Sequence, residues 1–342
     1  MRAITITAQG DPVTPNVAVV DDWPEPAPGA GEVLVRTEAS ALNHLDLWVG
    51  RGLPGIDAYP RIGGSDGCGR VEAVGIGVDE HWIGRRVVLN AAVAQPDAPH
   101  PDHAPAADHL HMLGEAGPGT HRAMFTAPAT NVLDVGDADP VEAAAFALSS
   151  LTAWRMITTK ARVQAGQTVL VTGIGGGVAL ASLALLKWMG CTVLVTSRHQ
   201  WKLDRAIELG ADDGVLDTGE DWSRSMRSLT GKRGVHACID SVGQAVHASC
   251  LKSLARGGVF VTCGCTSGPA ATTDLARIFW NQLSILGSTM GDMDEFRSVL
   301  ALFTGGHLKP IMDSVHDVSD ASAAWARLES GEQFGKIALR WP

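Results

Sequence analysis

Between residues 165 and 290, short apolar runs alternate with longer stretches of helical periodicity. The runs at 168–172 and 192–196 both centre on Val-Leu-Val, as strands do when a sheet is covered on both faces. Helices are predicted after them at 178–189 and 200–209, and further strands at 215–217, 235–239, 259–263 and 283–286. Strands and helices in this alternation predict an α/β fold with a doubly wound parallel sheet.

The two ends of the chain have a different pattern. The first 125 residues are rich in Gly and Pro, and short alternating strands at 32–36, 69–74 and 86–89 are typical of a small β barrel. Residues 1–7 alternate like an edge strand and lack the apolar core of a signal peptide. Helices are predicted at 293–303 and 319–328, and a last strand at 336–340. We expect this last part to return to the first domain, so that residues 1–147 and 291–342 form one domain around a second at 148–290.

Acidic residues outnumber basic ones by 37 to 27, which gives the 342-residue chain a net charge of −10. Nucleic-acid backbones and anionic lipids attract basic surfaces, so we expect neither as a partner. No apolar run approaches the roughly 18 residues of a membrane span, and we expect a cytoplasmic protein. The six cysteines include no CxxC pair, which favours reduced thiols packed in the core; a redox role for Cys263 and Cys265 is the alternative.

A glycine-rich turn joins the strand at 168–172 to the next helix. The turn and the start of the helix contain Gly173, Gly175, Gly176, Gly177 and Val178. Gly173 and Gly176 let the backbone turn tightly and approach a pyrophosphate, and the N–H groups at the start of the helix point toward that anion. A strand, glycines and a helix in this order indicate a dinucleotide site.

The end of the second strand indicates which dinucleotide binds. An acidic residue there would bond the ribose 2′-OH of NAD(H), but the strand ends in Thr196-Ser197-Arg198, and the first carboxylate is Asp204, inside the next helix. Ser197 offers a hydroxyl, Arg198 a guanidinium suited to phosphate, and Lys202 lies one helical turn later. We therefore predict NADP(H) as the cofactor. The alternative is that Arg198 and Lys202 are solvated surface charges.

In addition to the glycine turn, the chain contains six short motifs: SALNHLD at 40–46, GGSDGCG at 63–69, LTAW at 151–154, DSVG at 240–243, LGST at 286–289 and FGK at 334–336. Together they resemble the medium-chain dehydrogenase/reductase superfamily, which includes zinc alcohol dehydrogenases and quinone oxidoreductases. The resemblance covers essentially the whole chain. It implies a discontinuous GroES-like β-barrel domain joined to a Rossmann domain, with the active site in the cleft between them. It also implies a homodimer or homotetramer formed through the strand at 283–286.

The chain departs from the zinc-binding branch of that superfamily at all three ligands of the catalytic zinc. Asn43, Ser65 and Leu148 align with the Cys, His and Cys ligands, and Leu45 aligns with the hydroxyl residue of the proton relay. We therefore expect no zinc, because Zn²⁺ is bound by thiolates and imidazoles. The loop that holds a structural zinc in the family contains no cysteine here. Its segment 97–111 contains His100, His103, His109 and His111, for which a metal site is the alternative to a solvated loop without metal.

The SALNHLD motif supplies the candidate catalytic groups. The side-chain amide of Asn43 is a neutral hydrogen-bond donor for an oxyanion, and a structural bond is its alternative role. By resemblance, His44 contacts a cofactor phosphate; donation of a proton is the second hypothesis, since histidine titrates near neutrality. Asp46 is expected to orient the loop, with a direct role as the alternative, and Tyr59 is expected to pack.

The resemblance also implies contacts with the cofactor and a reaction. Thr152 is expected to pack near the nicotinamide, Lys336 to contact a phosphate, and the backbone around five residues to hold the nicotinamide: Val242, Gly264, Cys265, Thr266 and Ser288. The predicted function is zinc-independent, NADPH-dependent reduction of a small molecule, either a quinone or an α,β-unsaturated carbonyl compound. The alternatives are an alcohol or aldehyde dehydrogenase with unusual metal ligands, and a low-turnover NADPH-binding sensor.

Overall fold

The computed structural model describes residues 1–56, 58–94, 105 and 110–342. These residues form two compact units. Unit 1 contains Met1–Leu148 and Gly291–Pro342, and unit 2 contains Ser149–Met290. His100, His103 and His109 lie outside the described residues, so the expectation about a metal in the histidine-rich loop stays a prediction.

The strands of the described residues are β1 (Ala3–Ile6), β2 (Val17–Val20), β3 (Glu32–Ala41), β4 (Asp66–Val74), β5 (Arg86–Leu89), β6 (Ala92–Ala94), β7 (Leu110–Met112), β8 (Met124–Pro128), β9 (Val132–Asp134), β10 (Thr168–Val171), β11 (Thr192–Ser197), β12 (Asp213–Leu216), β13 (Val235–Asp240), β14 (Leu254–Thr262), β15 (Ser284–Gly287), β16 (Met312–Asp317) and β17 (Lys336–Arg340). The α-helices are α1 (His44–Arg51), α2 (Pro140–Trp154), α3 (Gly177–Trp188), α4 (Gln200–Glu208), α5 (Ser223–Leu229), α6 (Gln244–Ser253), α7 (Leu275–Asn281), α8 (Met293–Thr304) and α9 (Ala321–Glu329). None of the helices found in these residues has both the length and the apolar character needed to cross a membrane.

The larger sheet of unit 1 has the strand order β16-β17-β3-β4-β5-β9, and β8 also pairs with β3. β17 is antiparallel to β3, with Ala338 opposite Ala41, so the last strand of the chain completes the N-terminal sheet. β4 is antiparallel to β3 on its other side, with Asp66 opposite Ala41. The end of β3 and the beginnings of β4 and β17 therefore meet at one end of the sheet. Residues that are far apart in the sequence come together there.

Unit 2 contains a six-stranded sheet with the order β12-β11-β10-β13-β14-β15, in which every pair of neighbours is parallel. The predicted doubly wound parallel sheet is confirmed. Val169 and Leu170 in β10 and Val193 in β11 are fully buried, because these strands are central and covered on both faces. The strand order changes direction between β10 and β13. In open parallel sheets, ligands bind at the carboxyl ends of the strands at such a point.

The strand predicted at the start of the chain is β1, which lies at an edge of a two-stranded sheet and has further backbone bonds on its outer side. All four residues of β1 are buried, and β1 pairs with β2 on one side. On its other side, the N–H of Ile4 donates to the carbonyl of His121 and the N–H of Ile6 to the carbonyl of Arg61, both at 2.9 Å. The strand has bonded neighbours on both sides, and the alternation of residue types cannot reveal a partner so distant along the chain.

Candidate active site

Three strand ends bring Asn43, Asp66 and Lys336 together in unit 1. Asn43 lies between β3 and α1, while Asp66 begins β4 and Lys336 begins β17. Lys336 Nζ lies 2.7 Å from both Asp66 Oδ2 and Asn43 Oδ1, and Asn43 Nδ2 donates to Asp66 Oδ2 at 2.9 Å. Asp66 is fully buried, Lys336 is 4% exposed, and Asn43 is half-buried. We call these three residues the ammonium cluster.

The ammonium cluster pairs its two charges and satisfies both carboxylate oxygens. The backbone N–H of Leu148 donates to Asp66 Oδ1 at 2.9 Å, while Lys336 and Asn43 donate to Oδ2. This placement does not support the predicted contact between Lys336 and a cofactor phosphate. The ammonium is buried and already bonded to two oxygens, so it is not presented to an incoming anion.

Asp46 holds the loop of Asn43 in place. This carboxylate is 2% exposed; its Oδ2 accepts from the N–H of Asn43 at 2.8 Å and its Oδ1 from the N–H of Gly64 at 2.9 Å. The two bonds join the start of α1 to the turn that precedes β4. An acidic residue in the first turn of a helix also interacts favourably with the unpaired N–H groups there. A direct role of Asp46 in a reaction stays a prediction.

His121 lies behind Asp46, and no sequence motif marks it. Its ring is fully buried, with Nε2 3.3 Å from Asp46 Oδ1 and Nδ1 3.0 Å from Ser40 Oγ. Ser40 Oγ also accepts from Trp341 Nε1 at 3.0 Å. Ser40 is in β3 and Trp341 follows β17, so these polar groups link the two strands whose ends carry Asn43 and Lys336. A single histidine in a loop has no local signal for such a role.

Two other candidates lie on or near α1. His44 is the first residue of the helix and is half-buried; its contact with a phosphate and its donation of a proton both stay predictions. The hydroxyl of Tyr59 donates to the carbonyl of Val49 at 2.8 Å, and the ring packs against the core of unit 1. Both contacts agree with a packing role for Tyr59.

A zinc ion does not fit the ammonium cluster. Of the residues aligned with the family's ligands, Asn43 is bonded to Lys336 and Asp66, Ser65 Oγ donates to a backbone carbonyl at 2.7 Å, and Leu148 has no ligating side chain. A metal cation at these oxygens would be repelled by the ammonium, and the set includes no thiolate or imidazole. In the part of the chain that the structure describes, no group of three or more His, Cys, Asp or Glu could hold a metal.

The glycine turn of unit 2 has the predicted strand–turn–helix geometry. The segment between the end of β10 and the first turn of α3 contains all five predicted residues: Gly173, Gly175, Gly176, Gly177 and Val178. Gly173 has a φ of +61°, and a Cβ at this position would lie 2.6 Å from Val242 Cγ2. A side chain here would be strained and would push the neighbouring loop. The N–H of Ile174 donates to the carbonyl of Thr196 at 2.8 Å, which holds the turn against β11. The start of α3 therefore fits a pyrophosphate.

Asp240 ends β13 and organises the loop that follows. It is 1% exposed; Oδ1 accepts from Thr172 Oγ1 at 2.6 Å and from the N–H of Val242 at 3.1 Å, and Oδ2 accepts from the N–H of Gly243 at 3.0 Å. Burial raises the pKa of Asp240, while these hydrogen bonds act in the opposite direction. Thr172 follows β10, so one carboxylate ties together the two strand ends at the point where the strand order reverses.

The residues predicted to hold the nicotinamide lie at the carboxyl ends of β13, β14 and β15. Ser267 Oγ donates to the carbonyl of Val242 at 2.6 Å, and Thr266 Oγ1 donates to the carbonyl of Ser241 at 3.3 Å, so the loop after β14 is fastened to the loop after β13. The Ser288 hydroxyl is buried and has no hydrogen-bond partner among the described residues. Buried polar groups are almost always paired, so this hydroxyl fits a polar group of a ligand.

Three further residues of the predicted nicotinamide site, Thr152, Gly264 and Cys265, also lie in unit 2, and their contact with the cofactor stays a prediction. Thr152 is buried, with Oγ1 3.8 Å from Met290 Sδ. Gly264 is half-buried and Cys265 is exposed. The prediction of thiols packed in the core is confirmed for Cys68, Cys191, Cys238 and Cys250, and it is wrong for Cys265, which lies in the loop after β14.

The residues predicted to select NADP(H) lie at the end of β11 and in α4. Ser197 is buried, and its hydroxyl accepts from the N–H of His199 at 3.1 Å. Arg198 is exposed. Lys202 is only 6% exposed, and its Nζ lies 5.3 Å from the centre of the Trp201 ring, in a cation–π contact. The alternative of two solvated charges is therefore wrong for Lys202, and Arg198 is the exposed cation of the pair.

Comparisons with known proteins agree with this architecture. A family model of the alcohol dehydrogenase GroES-like domain matches residues 29–137, and one of the zinc-binding dehydrogenase matches residues 177–305. The zinc-type alcohol dehydrogenase-like protein YogA of Leptosphaeria maculans is 31% identical over 341 residues, with 92% of each chain covered. The quinone oxidoreductase of Rattus norvegicus is 26% identical over 350 residues, with 99% of this chain and 97% of the relative covered.

The solved structures show the same relationship. The crystal structure of an NAD-dependent alcohol dehydrogenase superposes with a TM-score of 0.93 and 35% identity, and all of both chains is covered. The GroES-like and Rossmann architecture expected from the sequence motifs is thereby confirmed. The chain belongs to the medium-chain dehydrogenase/reductase superfamily of oxidoreductases.

Proposed function

We propose that the protein is a zinc-independent, NADPH-dependent reductase of quinones or α,β-unsaturated carbonyl compounds. The observation that carries the proposal is the ammonium cluster, in which the Lys336 ammonium is bonded to Asp66 and Asn43 where family resemblance places a metal ligand. An ammonium that is paired with a carboxylate offers no open coordination position for an alkoxide. It suits acceptors that spread their developing negative charge over a conjugated system.

Unit 2 would bind the dinucleotide through four described features. The Gly173 turn and the first N–H groups of α3 would bind the pyrophosphate, and Arg198 would bind the 2′-phosphate. The unpartnered Ser288 hydroxyl would bind the carboxamide of the nicotinamide, and Asp240 keeps the loop of Val242 in shape. NADPH bound in this way supplies a hydride from C4 of its nicotinamide.

Unit 1 would bind the oxygen of the acceptor. Asn43 Nδ2 has two N–H groups, of which one bonds to Asp66. We assign the second to the acceptor's oxygen, where a donor aimed at developing charge stabilises the transition state. The Asp46 carboxylate holds the backbone of Asn43, so the amide keeps its place during the reaction. His44 is assigned first to a cofactor phosphate and second to proton donation, and a pH profile of the His44→Ala variant separates the two roles.

Alcohol dehydrogenase activity is the second candidate. It is favoured by the similarity to the 35% identical NAD-dependent alcohol dehydrogenase. The two candidates differ in the charge that the site has to stabilise. A simple aldehyde or ketone concentrates charge on one oxygen, and the zinc-dependent enzymes meet that charge with a Lewis acid.

A panel of acceptors and alcohols distinguishes these functions. We expect the purified protein to oxidise NADPH with quinones or enones and to show little activity with simple alcohols, aldehydes or ketones. Elemental analysis after dialysis against a chelator should find well under one zinc per chain, with activity retained. Alcohol oxidation that disappears when stoichiometric zinc is removed would refute the proposal. Tight NADPH binding without turnover on any acceptor would favour a sensor.

A further inference from the structure

We propose that Lys336 is a positioning residue: together with Asp66 it fixes and polarises the amide of Asn43, so that an amide N–H takes the electrophilic role that a metal has elsewhere in the superfamily. The inference rests on the proposed function in assigning Asn43 to the acceptor. The state of the amide itself can be measured without any turnover.

The contacts of the amide allow only one orientation. Lys336 can only donate hydrogen bonds and lies 2.7 Å from Oδ1, while the Asp66 carboxylate can only accept them and lies 2.9 Å from Nδ2. Rotating the amide by half a turn would place its NH₂ group against the ammonium and its oxygen against the carboxylate. Both contacts would then be repulsive, so the ion pair directs the remaining N–H of Asn43 one way.

The ammonium also changes the strength of that N–H as a donor. A hydrogen bond from a cation to the amide oxygen draws electron density from nitrogen to oxygen, which strengthens the partial double bond between carbon and nitrogen. The effect is large where water is excluded, and Lys336 is 4% exposed. Because Asp66 balances the ammonium, the cluster adds this polarisation without a net charge that would attract other anions.

Stability of the loop does not account for Lys336. A buried ion pair is often no more stabilising than apolar side chains of similar volume. The backbone of Asn43 is already held by Asp46, whose Oδ2 accepts its N–H at 2.8 Å. Besides its ion pair with Asp66, Lys336 adds the bond to Asn43 Oδ1, which acts on the side chain of Asn43 and not on its backbone.

Nuclear magnetic resonance of ¹⁵N-labelled protein tests the positioning directly. The side-chain NH₂ resonances of Asn43 are identified by their absence in Asn43→Asp. In Lys336→Met we expect these resonances to move and the rotation about the amide bond to become faster, because the oxygen has lost its cation. The same result is expected in the double variant Asp66→Asn, Lys336→Met, which leaves no unpaired charge in the core. Unchanged resonances and rotation in both variants would overturn the proposal.

Steady-state kinetics test whether the positioning serves the reaction. We expect kcat to fall about ten- to a hundredfold in both variants, less than the roughly 10²–10³ that follows from losing a donor outright. The dissociation constant of NADPH should stay unchanged, and the loss should be larger for enones than for quinones, which accept charge more readily. Lys187→Met is the matched control, since Lys187 pairs with Asp212 at 2.8 Å on the surface of unit 2.

The outcomes are distinct. A folded double variant that keeps the wild-type kcat on every acceptor would overturn the positioning role. So would a kcat that falls equally on all acceptors, or a variant that loses only NADPH affinity. If the wild type reduces no conjugated acceptor, the proposed function fails. The resonances of Asn43 then still decide whether Lys336 fixes the amide.

Discussion

Replacing Arg198 by alanine should weaken NADPH binding about ten- to a hundredfold and leave NADH binding nearly unchanged. The substitution removes the guanidinium that we assign to the 2′-phosphate, a group that NADH lacks. A hydrogen bond between charged groups contributes about 1.5–3 kcal/mol, and each 1.4 kcal/mol or so changes a dissociation constant tenfold.

The surroundings of Arg198 place the effect near the lower end of that range. Its side chain is exposed, so water and salt screen its interaction with a phosphate. Lys202 is less accessible to a phosphate than Arg198, because it is 6% exposed and its Nζ lies over the ring of Trp201. We therefore expect roughly a tenfold loss near physiological ionic strength and a larger loss at low salt.

Fluorescence titration of NADPH and NADH at two salt concentrations measures both dissociation constants. Arg205→Ala is the matched control, since Arg205 is an exposed arginine of α4 that pairs with Glu208 at 2.6 Å. It should leave both affinities as they are in the wild type. Equal weakening of NADPH and NADH by Arg198→Ala would refute the reasoning, and so would a wild type that prefers NADH.

Three further changes test other parts of the structure. Asn43→Ala should lower kcat on the best quinone by about 10²–10³ with NADPH affinity unchanged; steady-state kinetics and titration measure this, and unchanged turnover would contradict the assignment. Gly173→Ala should weaken NADPH and NADH binding equally, because its Cβ would lie 2.6 Å from Val242; wild-type affinity by calorimetric titration would show that the turn does not contact the dinucleotide. Trp280→Glu should convert an oligomer into monomers, because Phe279 and Trp280, in the helix before the outer strand β15, are 66% and 72% exposed and form an apolar surface that a second copy would cover. Light scattering measures this, and a monomeric wild type would contradict it.

The sequence alone was sufficient for the central sheet and for the dinucleotide turn. Continuous apolar runs separated by helical stretches can be buried only in a sheet covered on both faces, and β10 to β15 form that sheet. The glycines at 173–177 have a local meaning, because a tight turn between a strand and a helix depends on neighbouring residues. The last strand was also predicted with the bounds that the structure has, Lys336–Arg340.

The surroundings of the charged groups depend on how distant parts of the chain pack together. Lys336 was expected at a phosphate, but it is bonded to Asp66, 270 positions away along the chain, and to Asn43, 293 positions away. Lys202 is buried, with its Nζ 5.3 Å from the centre of the Trp201 ring, and the sequence does not indicate this contact. Periodicity reports which face of an element is buried, because it depends on residues two apart in a strand and three or four apart in a helix. The partner of a buried charge depends on which strands lie side by side, and that is set by the packing of the whole sheet.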